Sequence, residues 1–155
     1  WGAARESGGP VYLRIGKAGE LRIHAAYAMD ITKFRWARFV ANEVDRTTLV
    51  VSYGSIAAEA LKVAGRLDAD MVTVAALAPL DLELVREAGR YQRAIIIEEA
   101  SGAPLAQALR AACAGRGIDI QSFALPRDFP HLYGSREELL AAAGLTAEKI
   151  IEQRA

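Results

Sequence analysis

Few side chains in this sequence have the type and spacing to do chemistry. They are a carboxylate pair, Glu98-Glu99, a small turn, Tyr53-Gly54-Ser55, and a cation, Arg14, followed by Gly16 and Lys17. A carboxylate pair invites a general acid/base reading. However, no histidine lies nearby in sequence, and adjacent strand residues point to opposite faces, so at most one of the two could face a shared site. A structural or interface role is the stronger reading of Glu98 and Glu99. Gly54 and Ser55 could cradle an anion, because amides at a helix N-terminus point toward negative charge. The chain lacks both Gly-x-Gly-x-x-Gly and the Walker pattern, and a plain strand-to-helix turn explains the pair as well. Arg14 with Lys17 could hold a phosphate or carboxylate, with Gly16 allowing close approach. On local pattern alone an exposed strand cation fits equally. His24 and His131 lack metal-ligand spacing, and with one cysteine no zinc set can be assembled. Ser55, Ser101 and Ser135 each have a capping explanation. No nucleophile–base pair is visible, so no catalytic residue and no metal ligand are assigned.

The elements that must position these residues are legible as four apolar runs, Thr48–Tyr53, Met71–Ala76, Ala94–Glu99 and Ile118–Leu125, with a helical pattern between each pair. Runs of Val, Ile and Leu without strict alternation suit strands buried on both faces, and connections of this length match βαβ crossovers. The expectation is an α/β fold, a three-layer, open and mostly parallel sheet. Its helices are predicted with Ile56, Ala60, Leu61, Ala64 and Leu67 inward in the first, and Leu82, Val85 and Ala88 inward in the second behind an Asp81 cap. Pro104 opens the third, and Gly115 and Gly117 end it. Ser135-Arg136-Glu137-Glu138 reads as a capping box for the fourth, which packs Leu139 and Leu140 inward and ends at Gly144; Thr146 caps a last helix. Before the sheet, Val11–Ile15 alternates like a strand, and Leu21–Ile23 could be another short one. Lys33–Val40 interleaves basic and aromatic residues. That could suggest single-stranded nucleic-acid binding, but with zero net charge the favoured reading is an irregular or helical segment with Phe34, Trp36 and Phe39 packed and the cations reaching water.

The totals narrow the function classes. The 155 residues fit one domain with a real core, 52% hydrophobic and 25% charged. Nineteen basic side chains balance nineteen acidic ones, so no net field favours nucleic acid or an anionic membrane. No apolar run approaches membrane-spanning length, and Trp1–Pro10 has no apolar stretch of the signal-peptide kind. A cytoplasmic location is the expectation. The lone Cys113, in an Ala-rich helical pattern, reads as a buried small hydrophobe.

In order and spacing these segments resemble the C-terminal domain of the transketolase family, which includes 1-deoxy-D-xylulose-5-phosphate synthase and the beta subunits of 2-oxoacid dehydrogenases. Gly9-Pro10-Val11-Tyr12-Leu13-Arg14-Ile15-Gly16 is similar to the last strand of the family's pyrimidine-binding domain. Val50–Ser55 with Ala58-Glu59-Ala60-Leu61, Val74 through Asp81, Ile96-Ile97-Glu98-Glu99, Gly134–Leu140 and Gly144–Glu148 are similar to successive parts of the C-terminal domain. Three features depart from the family's usual pattern. Ala100 follows the glutamate pair where a histidine is common, Tyr133 stands before Gly134 where a histidine is common, and the Ala18–Val44 connection is longer and more aromatic.

The resemblance implies a division into residues 1–17, the end of a preceding pyrimidine-binding domain or a linker, and residues 18–155, the C-terminal-like domain. Family members bind thiamin diphosphate with Mg2+ between two other domains, through a Gly-Asp-Gly motif and an activating glutamate, and neither motif occurs here. The chain is thus expected to bind no cofactor alone and to be inactive alone. Its expected partners are other transketolase domains or a partner subunit and a second copy of itself, in an enzyme that moves ketol or aldehyde units between sugar phosphates. Arg14 matches the family's arginine that lines the substrate entrance. The alternatives from sequence are a standalone small-molecule domain holding a nucleotide or phosphate at Gly54-Ser55, and an interaction module docking through Phe34, Trp36 and Phe39.

Overall fold

Strand residues that are apolar on both sides need a helical layer on each face, and the sheet here has both. The computed structural model describes residues 2–16, 21, 23, 35–39, 47–128 and 131–154. After a short helix α1 (Gly2–Glu6), five strands, β1 (Trp36–Phe39), β2 (Thr48–Ser52), β3 (Asp70–Val74), β4 (Arg93–Ser101) and β5 (Asp119–Leu125), form one sheet in the order β1-β3-β2-β4-β5. β2 pairs in parallel with both β3 and β4, and β4 pairs in parallel with β5. The crossovers are α2 (Ala57–Arg66), α3 (Leu82–Ala88) and α4 (Pro104–Ala112), and α5 (Arg136–Ala142) and α6 (Ala147–Glu152) follow the sheet.

Alternate strand residues feed two separate cores. Val50, Met71, Ile95 and Ile97 pack with Ala60, Val63 and Ala64 of α2, Leu140 of α5 and Ile150 of α6. Leu49, Val51, Val72, Ala94 and Ile96 pack with Leu84 and Val85 of α3, Leu105 and Leu109 of α4, and Cys113. Filling both faces is why these strands read as continuous apolar runs. Burial also raises the pKa of the Cys113 thiol, as a small core hydrophobe requires.

Caps fix the helix starts. Asp81 accepts from the Glu83 amide at 2.8 Å, Ser135 and Glu138 close the capping box, and Thr146 accepts from the Lys149 amide.

Four expectations are corrected. Trp36–Phe39 is not irregular or helical but a strand, antiparallel to β3, with Trp36 opposite Val74 and Phe39 opposite Met71. Phe39 is buried and Trp36 partly so; Phe34 lies outside the described residues. Val11–Ile15 is exposed chain without a ladder, because no strand lies beside it among the described residues. Leu21 and Ile23 belong to a turn closed by the Ile23 amide on the Leu21 carbonyl, and Arg22 lies outside the described residues. Leu82 is 69% exposed; the helix turns Leu84 inward instead, beside Val85 and Ala88.

Candidate functional site

The carboxyl ends of β2 and β4 lie side by side, with Ser52 registered against Ile97. They bring together residues far apart in sequence. Glu98 is fully buried on the α3/α4 face, an expensive place for a carboxylate unless it is fully bonded. Its partners come from α4. That helix begins with Ala103, whose side chain cannot cap, and Pro104, which has no N–H. The next two amides, Leu105 and Ala106, donate to the Glu98 carboxylate at 3.0 and 3.1 Å. Glu98 thus serves as the N-cap from a neighbouring strand and neutralises the positive end of the helix dipole. The helix reaches it through a sharp turn in which Gly102 and Ala103 both adopt positive φ, +79° and +51°. Gly102 suits that turn because it has no Cβ to strain.

Tyr53 completes the bonding of Glu98. Its ring lies in the α3/α4 core and its hydroxyl donates to Glu98 at 3.3 Å. Burial first, and then the Glu98 charge, push the phenol pKa up to about 12, while Arg14 acts in the opposite sense. Gly54 follows at φ +67° and opens a single 3-10 turn, Gly54–Ile56, that leads into α2. Nothing lies within 4 Å of where a Gly54 Cβ would stand, so conformation rather than close approach requires the glycine there. Gly54 is exposed and Ser55 half-buried.

Glu99 turns to the other face, where its carboxylate takes Arg136 Nη2 at 2.6 Å and Nε at 3.4 Å. The two carboxylates therefore tie one strand end to helices in both layers. Between them the Glu99 carbonyl accepts from Arg14 Nη1 at 2.8 Å. Arg127 lies alongside, its Nε 3.6 Å from where a Gly102 Cβ would stand, and Ser101 donates to the Pro126 carbonyl.

Of the residues singled out from sequence, the structure gathers Arg14, Glu98 and Glu99 at one rim, with Gly54 beside them through Tyr53. Lys17 and His24 lie outside the described residues. Sequence reasoning missed Tyr53 as the partner of Glu98 and Arg136 as the partner of Glu99. The signal to look for was a glutamate at the end of an apolar strand facing a helix that starts Ala-Pro and lacks a cap of its own. Chemically the rim can hold and orient a guanidinium and offer it to an anion. The amides at the start of α4 are already taken, by Glu98. Among the described residues no group of three or more His, Cys, Asp or Glu side chains could hold a metal ion.

An open, three-layer α/β sheet with a group of charged side chains at the carboxyl end of β4 is the class that fold and site define. The family profile described as the transketolase C-terminal domain matches residues 40–150, and the chain belongs to that family. It is 37% identical over 110 residues to 1-deoxy-D-xylulose-5-phosphate synthase of Thioalkalivibrio sulfidiphilus, covering 68% of this chain and 17% of that protein. Against the same enzyme of Methylibium petroleiphilum it is 29% identical over 158 residues, 96% of this chain and 24% of that one. A solved structure of a split-gene transketolase, described as an inactive beta4 tetramer, superposes with a TM-score of 0.60 at 26% identity, covering 68% of this chain and 37% of that chain. The chain thus spans a quarter or less of the two synthases and just over a third of the split-gene chain.

Proposed function

We propose that this chain is the C-terminal part, or a separate C-terminal subunit, of a thiamin-diphosphate-dependent transketolase-like enzyme that moves ketol or aldehyde units between sugar phosphates. In this reading it is inactive alone. It joins other transketolase domains or a partner subunit, supports dimerisation and lines the substrate entrance. Thiamin diphosphate and Mg2+ belong to the other domains, and this chain contributes a guanidinium for the substrate phosphate. Family membership and the likeness to a split-gene transketolase chain support the assignment to such an assembly. The observation that carries the site is Arg14 fastened to the Glu99 carbonyl at the carboxyl end of the sheet.

The test is reconstitution with a chain carrying the thiamin-binding domains. Activity is expected from the mixture and from neither chain alone. In that mixture Arg14→Ala should raise KM for a phosphorylated acceptor by roughly tenfold or more, the worth of a charge-assisted hydrogen bond. An unchanged KM would remove Arg14 from the site.

A further inference from the structure

We infer that Glu98, Tyr53 and the Glu99 carbonyl together form a seat that positions the Arg14 guanidinium, making Glu98 and Tyr53 positioning residues for phosphate recognition. The functional half of this inference rests on the reading of Arg14 given above; the seat itself does not. Arg14 belongs to a segment with no strand partner among the described residues, and its neighbours Tyr12 and Ile15 are 88% and 81% exposed. Such a segment cannot by itself hold a side chain in one place. The bond from Arg14 Nη1 to the Glu99 carbonyl can, provided the carbonyl is fixed. It is fixed on both sides, since Glu98 anchors the strand to α4 and Glu99 anchors it to α5 through Arg136.

Charge adds to geometry. The donors that bond Glu98 are two amides and a phenol, none of which carries a full positive charge. Arg14 and Glu98 both lie near enough to the Tyr53 phenol to act on it, with opposite sign. A buried carboxylate attracts a nearby guanidinium more strongly than it would across water. One guanidinium N–H is engaged by the carbonyl, and among the described residues no other group takes the rest, which suits them to an oxyanion. Glu98 therefore governs phosphate affinity without touching substrate.

Two measurements separate the seat from the function. Limited trypsin digestion of the chain reads the seat directly, because a seated Arg14 resists cleavage at Arg14–Ile15. Glu98→Gln, which keeps the shape and removes the charge, should speed that cleavage several-fold relative to cleavage after Arg5, and Tyr53→Phe should do so to a smaller degree. Equal rates in wild type and in whichever variants fold would overturn the seat. In the reconstituted enzyme, Glu98→Gln should raise KM for glyceraldehyde 3-phosphate about tenfold while leaving kcat, and KM for unphosphorylated glyceraldehyde, nearly unchanged. In an Arg14→Ala background the same substitution should add nothing. Additive effects of the two substitutions would show that Glu98 does not act through Arg14. Faster trypsin cleavage in Glu98→Gln with no KM effect from Arg14→Ala would keep the seat and discard the phosphate role.

Discussion

Two buried carboxylates, each bonded by a tyrosine and accompanied by an arginine, sit on the same face of this sheet at opposite ends. At the amino end Asp70 accepts from Tyr91 Oη and from Arg38 Nη2, both at 2.7 Å, and Arg38 Nη1 reaches Glu87 at 3.3 Å. At the carboxyl end Glu98 accepts from Tyr53 and two helix amides, and Arg14 bonds the adjoining carbonyl. Residue types do not tell the two apart; the origin of the arginine does. Arg38 belongs to β1, and its pairing ties that edge strand to β3 and α3. Arg14 comes from outside the sheet, on exposed chain. The first cluster joins β1, β3 and α3 and serves the fold. The second takes its arginine from outside the sheet, and this contrast makes it the functional candidate.

The largest effect should come from breaking the first cluster. Asp70→Ala removes the anion from beneath Arg38 and Tyr91, and the Asp70 side chain is only 3% exposed. Truncating one member of a buried pair costs about 3 kcal/mol or more, with some discount here because Arg38 is 33% exposed. Urea unfolding at neutral pH should show a lower midpoint at unchanged slope. A loss under roughly 1 kcal/mol would erase the distinction between the two ends.

The same contrast explains what was legible in the sequence. Leu49–Val51, Met71–Val74 and Ala94–Ile97 announced the parallel core because burial on both faces leaves a chemical trace in every residue. The edge strand left a weaker one. In Trp36-Ala37-Arg38-Phe39 the period of two was present, with Ala37 and Phe39 buried and Arg38 exposed, but the interleaved cations and aromatics suggested an irregular or helical segment. Arg38 is there because Asp70 and Glu87 await it, and pairing across 32 residues of sequence has no local signature. The phase of α3 was misjudged at Leu82 because the facing strands, not the helix's own spacing, decide which side is covered. The opposite facing of Glu98 and Glu99 followed from strand geometry alone, whereas the amides that satisfy Glu98 come from the tertiary arrangement of α4.

A smaller effect appears in alkali. The Tyr53 phenol is raised to about 12 and that of Tyr91 is raised as well, in both cases chiefly by burial. A folded pKa above the ordinary phenol value leaves stability intact below about pH 10. Above that the unfolded chain releases its phenolic protons first, and stability falls until the folded phenols also titrate. Tyr53 should account for on the order of 2 kcal/mol of this loss between pH 10 and 12, visible as a falling urea midpoint that Tyr53→Phe partly flattens. The arginines sharpen the comparison, since each opposes the rise of its own tyrosine. Arg14→Ala should therefore move the phenolate absorbance of Tyr53 to still higher pH and leave that of Tyr91 alone.

The smallest effect is the most discriminating. Arg38→Ala strips a buried carboxylate of its cation and should destabilise the chain by about 2 kcal/mol. Arg14→Ala removes one exposed hydrogen bond from a segment with no ladder and should change stability by less than about 0.5 kcal/mol. Glu98 keeps its two amides and its phenol without Arg14, so no buried charge is orphaned by the substitution. The fold thus has little use for Arg14, although it supplies a rigid carbonyl to hold it. If urea titration showed the two arginine variants equally destabilised, the carboxyl-end cluster would be a second fastening of the fold and would lose its claim to be a site.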